Sequence, residues 1–134
     1  MKNLMELLFI GFVMSSCDPA ISYEYYLNNQ SDSVLIVQFR GNGFNRTGDS
    51  IRQAQPKSEI LIYKTEVWGS NPHDEKSEFL HMFDTIAIMT KSSILIKKDI
   101  YQRKYWTYDN DITLFGFIKT GTNFYHLKLV NDDI

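Results

Sequence analysis

The chain has 134 residues, which is enough for one domain of ordinary size and too few for two. Of these residues 43% are apolar, 22% are charged and 14% are aromatic, the composition of a globular protein with a bias toward strands. The net charge of -2 gives no electrostatic reason to expect nucleic acid as a partner.

The first segment of the chain is typical of a secretory leader. Lys2 is followed by an unbroken apolar run over residues 7–14, and then by the small residues Ser15 and Ser16. An apolar run of this length is too short to cross about 30 Å of hydrocarbon as a helix, whereas it is ordinary for the core of a signal peptide. We therefore expect residues 1–16 to be a signal peptide.

The junction before Cys17 carries the strongest signal in the sequence. Met14, Ser15 and Ser16 precede the cysteine, an order that resembles the bacterial lipobox, although Met14 replaces the usual Leu and Glu6 adds a charge before the apolar run. The resemblance implies that Cys17 is lipidated, that the chain is cleaved before it, and that the lipid binds a membrane. Cys17 is also the only cysteine, so no internal disulfide can form, and lipidation would protect its thiol from oxidation.

The lipobox interpretation divides the chain into three parts. After the leader, residues 17–22 would be the lipidated cysteine with a short tether, and residues 23–134 a single domain. The five residues after Cys17 span at most about 17 Å, which would keep the domain close to its membrane. The alternative is that residues 1–17 form an apolar strand or helix of the fold and end in an unmodified thiol.

The rest of the chain mostly shows the period of two that is typical of strands. Strands are predicted over residues 23–27, 34–39, 51–53, 59–67, 85–89, 94–97 and 124–130, with one helical turn over residues 77–83 capped by Ser77. Polar turn residues join the first strand to the second, and 85–89 to 94–97, so each of these pairs is predicted to be a hairpin. Residues 99–121 give no clear pattern.

This succession of elements predicts the fold class. Six or seven short strands with almost no helix favour an all-β protein, an antiparallel β-sandwich of immunoglobulin-like size. A small closed β-barrel is the alternative.

Four features of the chain are also found together in one group of proteins. They are Cys17, the Tyr-rich opening at residues 23–26, Trp106, and the closing segment 127–133 with its acidic end. In this layout the chain resembles small Bacteroidota lipoproteins of unknown function. The resemblance implies an all-β domain of the cell envelope and no particular activity. We expect the outer membrane, on its periplasmic face or at the cell surface, rather than the inner membrane.

Three triplets match an O-glycosylation pattern of secreted Bacteroidota proteins, in which Asp precedes Ser or Thr and a residue with a methyl-bearing side chain follows. They would place glycans on Ser33, Ser50 and Thr85. Asp-Ser and Asp-Thr are also natural turn residues before an apolar strand, which would explain the triplets without any glycan.

No pattern predicts a metal site, a cofactor or a catalytic residue. His73, His81 and His126 lack the spacing of a zinc site, and no thiolate is available to complete one. Residues 109–111 could offer oxygen ligands to calcium, but the Gly and Glu of a calcium-binding loop are absent, so a solvated turn is expected. The nucleophile patterns Gly-x-Ser-x-Gly and Ser-x-x-Lys do not occur.

Aromatic side chains are the remaining candidates for a binding surface. Trp68, Trp106, Tyr101 and Tyr105 fall in predicted loops or strand ends, where their rings could stack on sugars or contact a protein, although Trp106 could also fill the core. The preferred hypothesis is a membrane-anchored, non-enzymatic envelope lipoprotein that binds another envelope protein. The alternatives are a glycan-binding accessory lipoprotein that uses Trp68 and Trp106, and an envelope hydrolase with an unrecognised carboxylate site.

Overall fold

The structure is a computed structural model, and it describes residues 19–134 apart from the side chain of Phe115. The predicted leader and Cys17 lie outside the described residues. The strands are β1 (Ala20–Asn29), β2 (Leu35–Gly41), β3 (Ser50–Ala54), β4 (Ser58–Trp68), β5 (Phe83–Thr90), β6 (Trp106–Phe115) and β7 (Ile118–Leu129). The helical segments of this part of the chain are short 3-10 turns at Lys76–Glu78, Arg103–Tyr105 and Asn131–Asp133.

The strands form two sheets that pack face to face. One has four strands in the order β4-β1-β7-β6, and the other has three in the order β3-β2-β5. All pairs are antiparallel except β1 with β7, which run parallel. The predicted β-sandwich is therefore confirmed, and the sheets do not close into the alternative barrel.

Strict alternation along β1 builds the core on one side of the larger sheet. Ile21, Tyr23, Tyr25 and Leu27 are buried, while the residues between them are partly exposed. The Tyr25 ring stacks on Tyr125 of β7, with 5.4 Å between the ring centroids. A buried phenol needs a partner for its hydroxyl, and that of Tyr25 donates to a backbone carbonyl at 2.7 Å. Two tyrosines of the Tyr-rich opening, Tyr23 and Tyr25, therefore belong to the core.

The predicted hairpin between the first two strands is wrong, because β1 and β2 belong to different sheets. The buried side chain of Asn29 explains the crossing. Its amide donates to the carbonyls of Ser33, Ala54 and Gln55, and its carbonyl accepts from the Ser31 hydroxyl at 2.6 Å. These bonds hold the connection as an arch from one sheet to the other, where a hairpin would have returned within one sheet.

Two further predictions fail near β5. The predicted strand 94–97 is reduced to an isolated bridge between Met89 and Leu95, so residues 85–97 do not form a regular hairpin, and β5 pairs with β2. The predicted helical turn over 77–83 is a single 3-10 turn at Lys76–Glu78 without a side-chain cap. Phe83 already begins β5, which leaves no room for a longer helix.

The segment 99–121, in which the sequence shows no clear pattern, contains β6 and the first four residues of β7. Trp106–Phe115 and Ile118–Leu129 form a long hairpin that turns at Gly116, whose φ of 61° is in the region that glycine adopts freely. The first strand, β1, begins at Ala20, three residues before the predicted start of the domain at Tyr23. A tether between Cys17 and this strand would therefore be shorter than the predicted 17–22.

Candidate functional site

Hydrogen bonds hold the first described residues of the chain at one end of the sandwich. We call this end, where β1 begins and β4 ends, the tether end. The Pro19 carbonyl accepts a hydrogen bond from the backbone N–H of Gly69 at 3.0 Å. The Ala20 carbonyl accepts one from the Thr120 hydroxyl at 2.5 Å. Because Ala20 follows Cys17 by three residues, the predicted lipid would be attached close to the start of β1, a central strand of the larger sheet.

The β6–β7 hairpin projects beyond the tether end. β7 starts to pair with β1 at Gly121, and Thr120 is bonded to Ala20, so the residue pairs that join 114–115 to 118–119 extend past the start of β1. At about 3.4 Å per residue, the part of the hairpin from Gly121 to Ile118 is about 10 Å long. Leu114 is 68% exposed and Phe117, at the turn, is fully exposed. The exposed apolar residues of the hairpin are Ile112, Leu114, Phe117 and Ile118.

Trp68 also lies at the tether end, where it pairs with Ala20 across β1 and β4. Its indole is 64% exposed, as a binding residue requires. The exposed ring of Phe44, from the loop between β2 and β3, meets it nearly edge-on with 5.0 Å between ring centroids. Phe44 is held there by its backbone N–H, which donates to the Glu66 carbonyl at 3.1 Å. We call these two residues and the four of the hairpin the apolar rim.

Trp106 and Tyr105 are not available for a binding surface. Trp106 is only 3% exposed, and its indole N–H donates to the Ile100 carbonyl at 2.7 Å, so its predicted binding role is wrong. It faces inward because β6 places alternate residues on the core side. The Tyr105 ring is half-buried and makes cation–π contacts with the ammonium groups of Lys98 and Lys104, which lie 5.2 and 4.9 Å from its centroid.

Tyr101 lies in the loop between β5 and β6, next to the smaller sheet, and is 62% exposed. Its hydroxyl donates to the Ile86 carbonyl at 2.6 Å, which ties it to the outer edge of β5. It forms one wall of a shallow depression of about 610 Å³ whose floor includes the exposed Ile51. Leu95, also exposed, continues this apolar surface on the other side of Tyr101. The four predicted aromatic residues therefore do not form one surface.

Two of the three predicted glycosylation residues line the same depression. Thr85 is exposed, and Ser50 is partly exposed with its hydroxyl donating to the Gly48 carbonyl at 3.1 Å. Ser33 lies apart from them, in the arch that follows β1. A glycan on Ser50 or Thr85 would cover the depression beside Tyr101.

One group of hydrogen-bonded polar side chains was not predicted by any pattern in the sequence. Arg103 binds Asp74 through two bonds, Nη2 to Oδ2 at 2.6 Å and Nε to Oδ1 at 3.0 Å. Its guanidinium also lies against the Tyr125 ring, 5.6 Å from the centroid. Beside this pair, the Tyr23 hydroxyl donates to the Glu75 carboxylate at 2.5 Å. The group fastens the segment before β5 onto the larger sheet.

The electrostatics of this group argue against proton transfer near neutral pH. Hydrogen bonds from Arg103 hold the pKa of the Asp74 carboxyl below its usual value, so that it stays ionised. Burial raises the pKa of the Tyr23 phenol, and the hydrogen bond to Glu75 raises it further. Burial likewise raises the pKa of the Tyr125 phenol. Each of these three groups therefore keeps one protonation state around neutrality, which suits a structural role.

The histidines are dispersed over the surface. His81 meets the Tyr23 ring edge-on, and His126 stacks on Tyr26 with 4.8 Å between ring centroids. Within residues 19–134, no group of three or more His, Asp and Glu side chains is placed to hold a metal ion. Residues 109–111 lie inside β6 and do not form the solvated turn predicted for them.

No helix in residues 19–134 has the length and apolar character needed to cross a membrane. No family model, curated protein or solved structure matches the chain.

Proposed function

We propose that the protein is a lipid-anchored lipoprotein of the cell envelope, of the kind found in Bacteroidota, and that its β-sandwich is a non-enzymatic binding module. The observation that carries this proposal is the position of Cys17 relative to the fold. β1 begins at Ala20, so cleavage before Cys17 would leave every described strand intact. The proposed location is the outer membrane, on its periplasmic face or at the cell surface.

The strength of such an anchor follows from the chemistry of the lipid. Each buried methylene contributes about 0.8 kcal/mol, and a single acyl chain holds a protein only marginally. A lipoprotein cysteine carries two or three chains, which make release negligible. The short connection to Ala20 then keeps the sandwich at the membrane.

We propose the depression beside Tyr101 as the binding surface for another envelope protein. Tyr101, Ile51 and Leu95 expose apolar area on one sheet, with aromatic and aliphatic groups that are common at the centres of interfaces. The glycan-binding alternative is weaker, because it needs both tryptophans on one exposed surface and Trp106 is buried. The hydrolase alternative is also weaker, because the Asp74 carboxylate is already bound to Arg103.

The anchor is tested by the intact mass of the protein after expression in a Bacteroidota host and extraction with detergent. We expect the mass of residues 17–134 plus a diacylglyceryl group, with or without an amide-linked acyl chain. Cys17→Ala should lose the added lipid mass and leave the membrane fraction. A mass equal to the uncleaved chain with a free thiol would refute the proposal. Additional hexose-sized increments would report glycans on the same sample.

The binding surface is tested by a photo-crosslinking amino acid placed at Tyr101 in living cells. We expect a discrete crosslinked protein of defined mass from this position. The matched control is the same amino acid at Thr107, which is exposed on the outer face of the larger sheet. Equal crosslinking from both positions, or none from position 101, would show that the depression is not the binding surface.

A further inference from the structure

We infer that the apolar rim at the tether end inserts into the lipid–water interface beside the lipid on Cys17. This inference rests on the proposed lipid anchor and adds a second contact between protein and membrane. The rim combines Phe44 and Trp68 at one edge of the larger sheet with the β6–β7 hairpin at the other. Three strand spacings separate these edges, so the contact is about 14 Å wide.

The lengths of the tether and the hairpin bring the rim to the membrane. Ile21 and Gly121 lie side by side in the sheet. From Ile21 back to Cys17 the chain has four residues and spans at most about 14 Å when fully extended. The hairpin overhang from Gly121 is about 10 Å and points in the same direction, because β1 runs away from the tether end. Even an extended tether therefore leaves the hairpin turn near the level of the lipid headgroups.

The side chains of the hairpin suit an apolar environment. Ile112 and Leu114 continue the face of β6 that bears the buried Trp106, but they lie beyond the part that is buried in the core. Phe117 caps the turn and is fully exposed. Several exposed apolar side chains at one end of a domain are typical of a contact surface.

The remaining groups of the rim suit the headgroup layer. The indole of Trp68 is apolar with one polar N–H, the combination that places tryptophan at membrane interfaces. Lys119 on the hairpin and Arg46 beside Phe44 are exposed cations that can contact lipid phosphates. Asp111 is the nearest acidic residue of the hairpin, and it pairs with Thr122, on the side of Gly121 that is away from the turn.

The test uses the full lipidated protein, with its acylation verified by intact mass. It is reconstituted into vesicles of phosphatidylethanolamine and phosphatidylglycerol, with and without brominated phosphatidylcholine as a quencher. Since interfacial side chains lie about 5–10 Å into the headgroup and acyl boundary, we expect shallow bromine to quench Trp68 at least about twofold. Trp68→Phe leaves only the buried Trp106, which should not be quenched and serves as the internal control.

A double variant separates the rim from the anchor. Leu114→Ser with Phe117→Ser should reduce the quenching of Trp68 while the protein stays lipidated and membrane-bound. The matched control is Leu61→Ser with Ile94→Ser, which removes two exposed apolar side chains elsewhere and should leave quenching unchanged.

Three outcomes would overturn the inference. An acylated protein whose Trp68 is not quenched would refute membrane contact and leave the anchor standing. A concentration-dependent blue shift of Trp68 without bromine quenching would show that the rim packs against a second copy. A mass without acyl chains would remove the anchor, and the inference with it.

Discussion

Replacing Trp106 with Ala should lower the free energy of unfolding by about 3–5 kcal/mol, the range for deleting a fully buried large aromatic side chain. The indole packs edge-on to Tyr25, with 6.3 Å between ring centroids, and against Phe79 at 5.6 Å. Its loss would leave a cavity between the sheets and would deprive the Ile100 carbonyl of its donor. Urea unfolding in one mild detergent, followed by circular dichroism because the substitution removes a fluorophore, would measure the change.

The matched control is Trp68→Ala, which removes the same side chain from an exposed position. We expect this variant to stay within about 0.5 kcal/mol of the original chain in the same detergent. Equal losses from the two substitutions would contradict the assignment of Trp106 to the core and Trp68 to the surface.

Arg103→Gln should cost about 1.5–3 kcal/mol at neutral pH, the range for hydrogen bonds to a charged group. The Asp74 and Arg103 side chains are only 31% and 25% exposed, so water replaces the lost bonds incompletely. Because hydrogen bonds from Arg103 lower the pKa of Asp74 in the folded protein, this stabilisation is present above the unfolded carboxyl pKa of about 3.9 and is lost as the pH falls through the folded value. The difference between the two proteins should therefore shrink on acidification.

A control for this prediction is present in the same chain. Arg40 and Asp49 form a pair at 2.7 Å with 49% and 83% of their side chains exposed. Arg40→Gln should cost less than about 1 kcal/mol, as exposed pairs do. A double-mutant cycle with Asp74→Asn isolates the coupling of Arg103 to Asp74. If Arg103→Gln costs no more than Arg40→Gln, or its cost is independent of pH, the proposed fastening role of this pair is wrong.

The fold class could be predicted because β1, β2 and β4 each separate an apolar face from a more polar one. The strand β6 could not be predicted from the sequence, because its centre at Asp109, Asn110 and Asp111 has low strand propensity and resembles a turn. Pairing with β7 over the whole strand overrides that preference. The crossing from β1 to β2 could not be predicted either, because no periodic pattern reveals the hydrogen bonds of the buried Asn29 in this connection.

For the candidate surfaces, the sequence could predict the types of residue but not which of those residues are exposed or lie together. Whether a tryptophan is core or surface depends on the register of its strand, and this separates Trp106 from Trp68 although both follow polar segments. Asp74 and Arg103 are 29 residues apart and belong to no motif, so their pairing is visible only in three dimensions. Of the apolar rim only Trp68 was predicted, because the hairpin residues lay in the segment without a pattern.

The parallel pairing of β1 with β7 gives the domain a mechanical property. β1 lies between β4 and β7 and is bonded to both along nearly its whole length. A pull on its amino-terminal end would load these two ladders in shear, so that many hydrogen bonds must break together, instead of peeling them apart one by one. A domain that is anchored through β1 would therefore resist mechanical unfolding when a bound partner moves relative to the membrane.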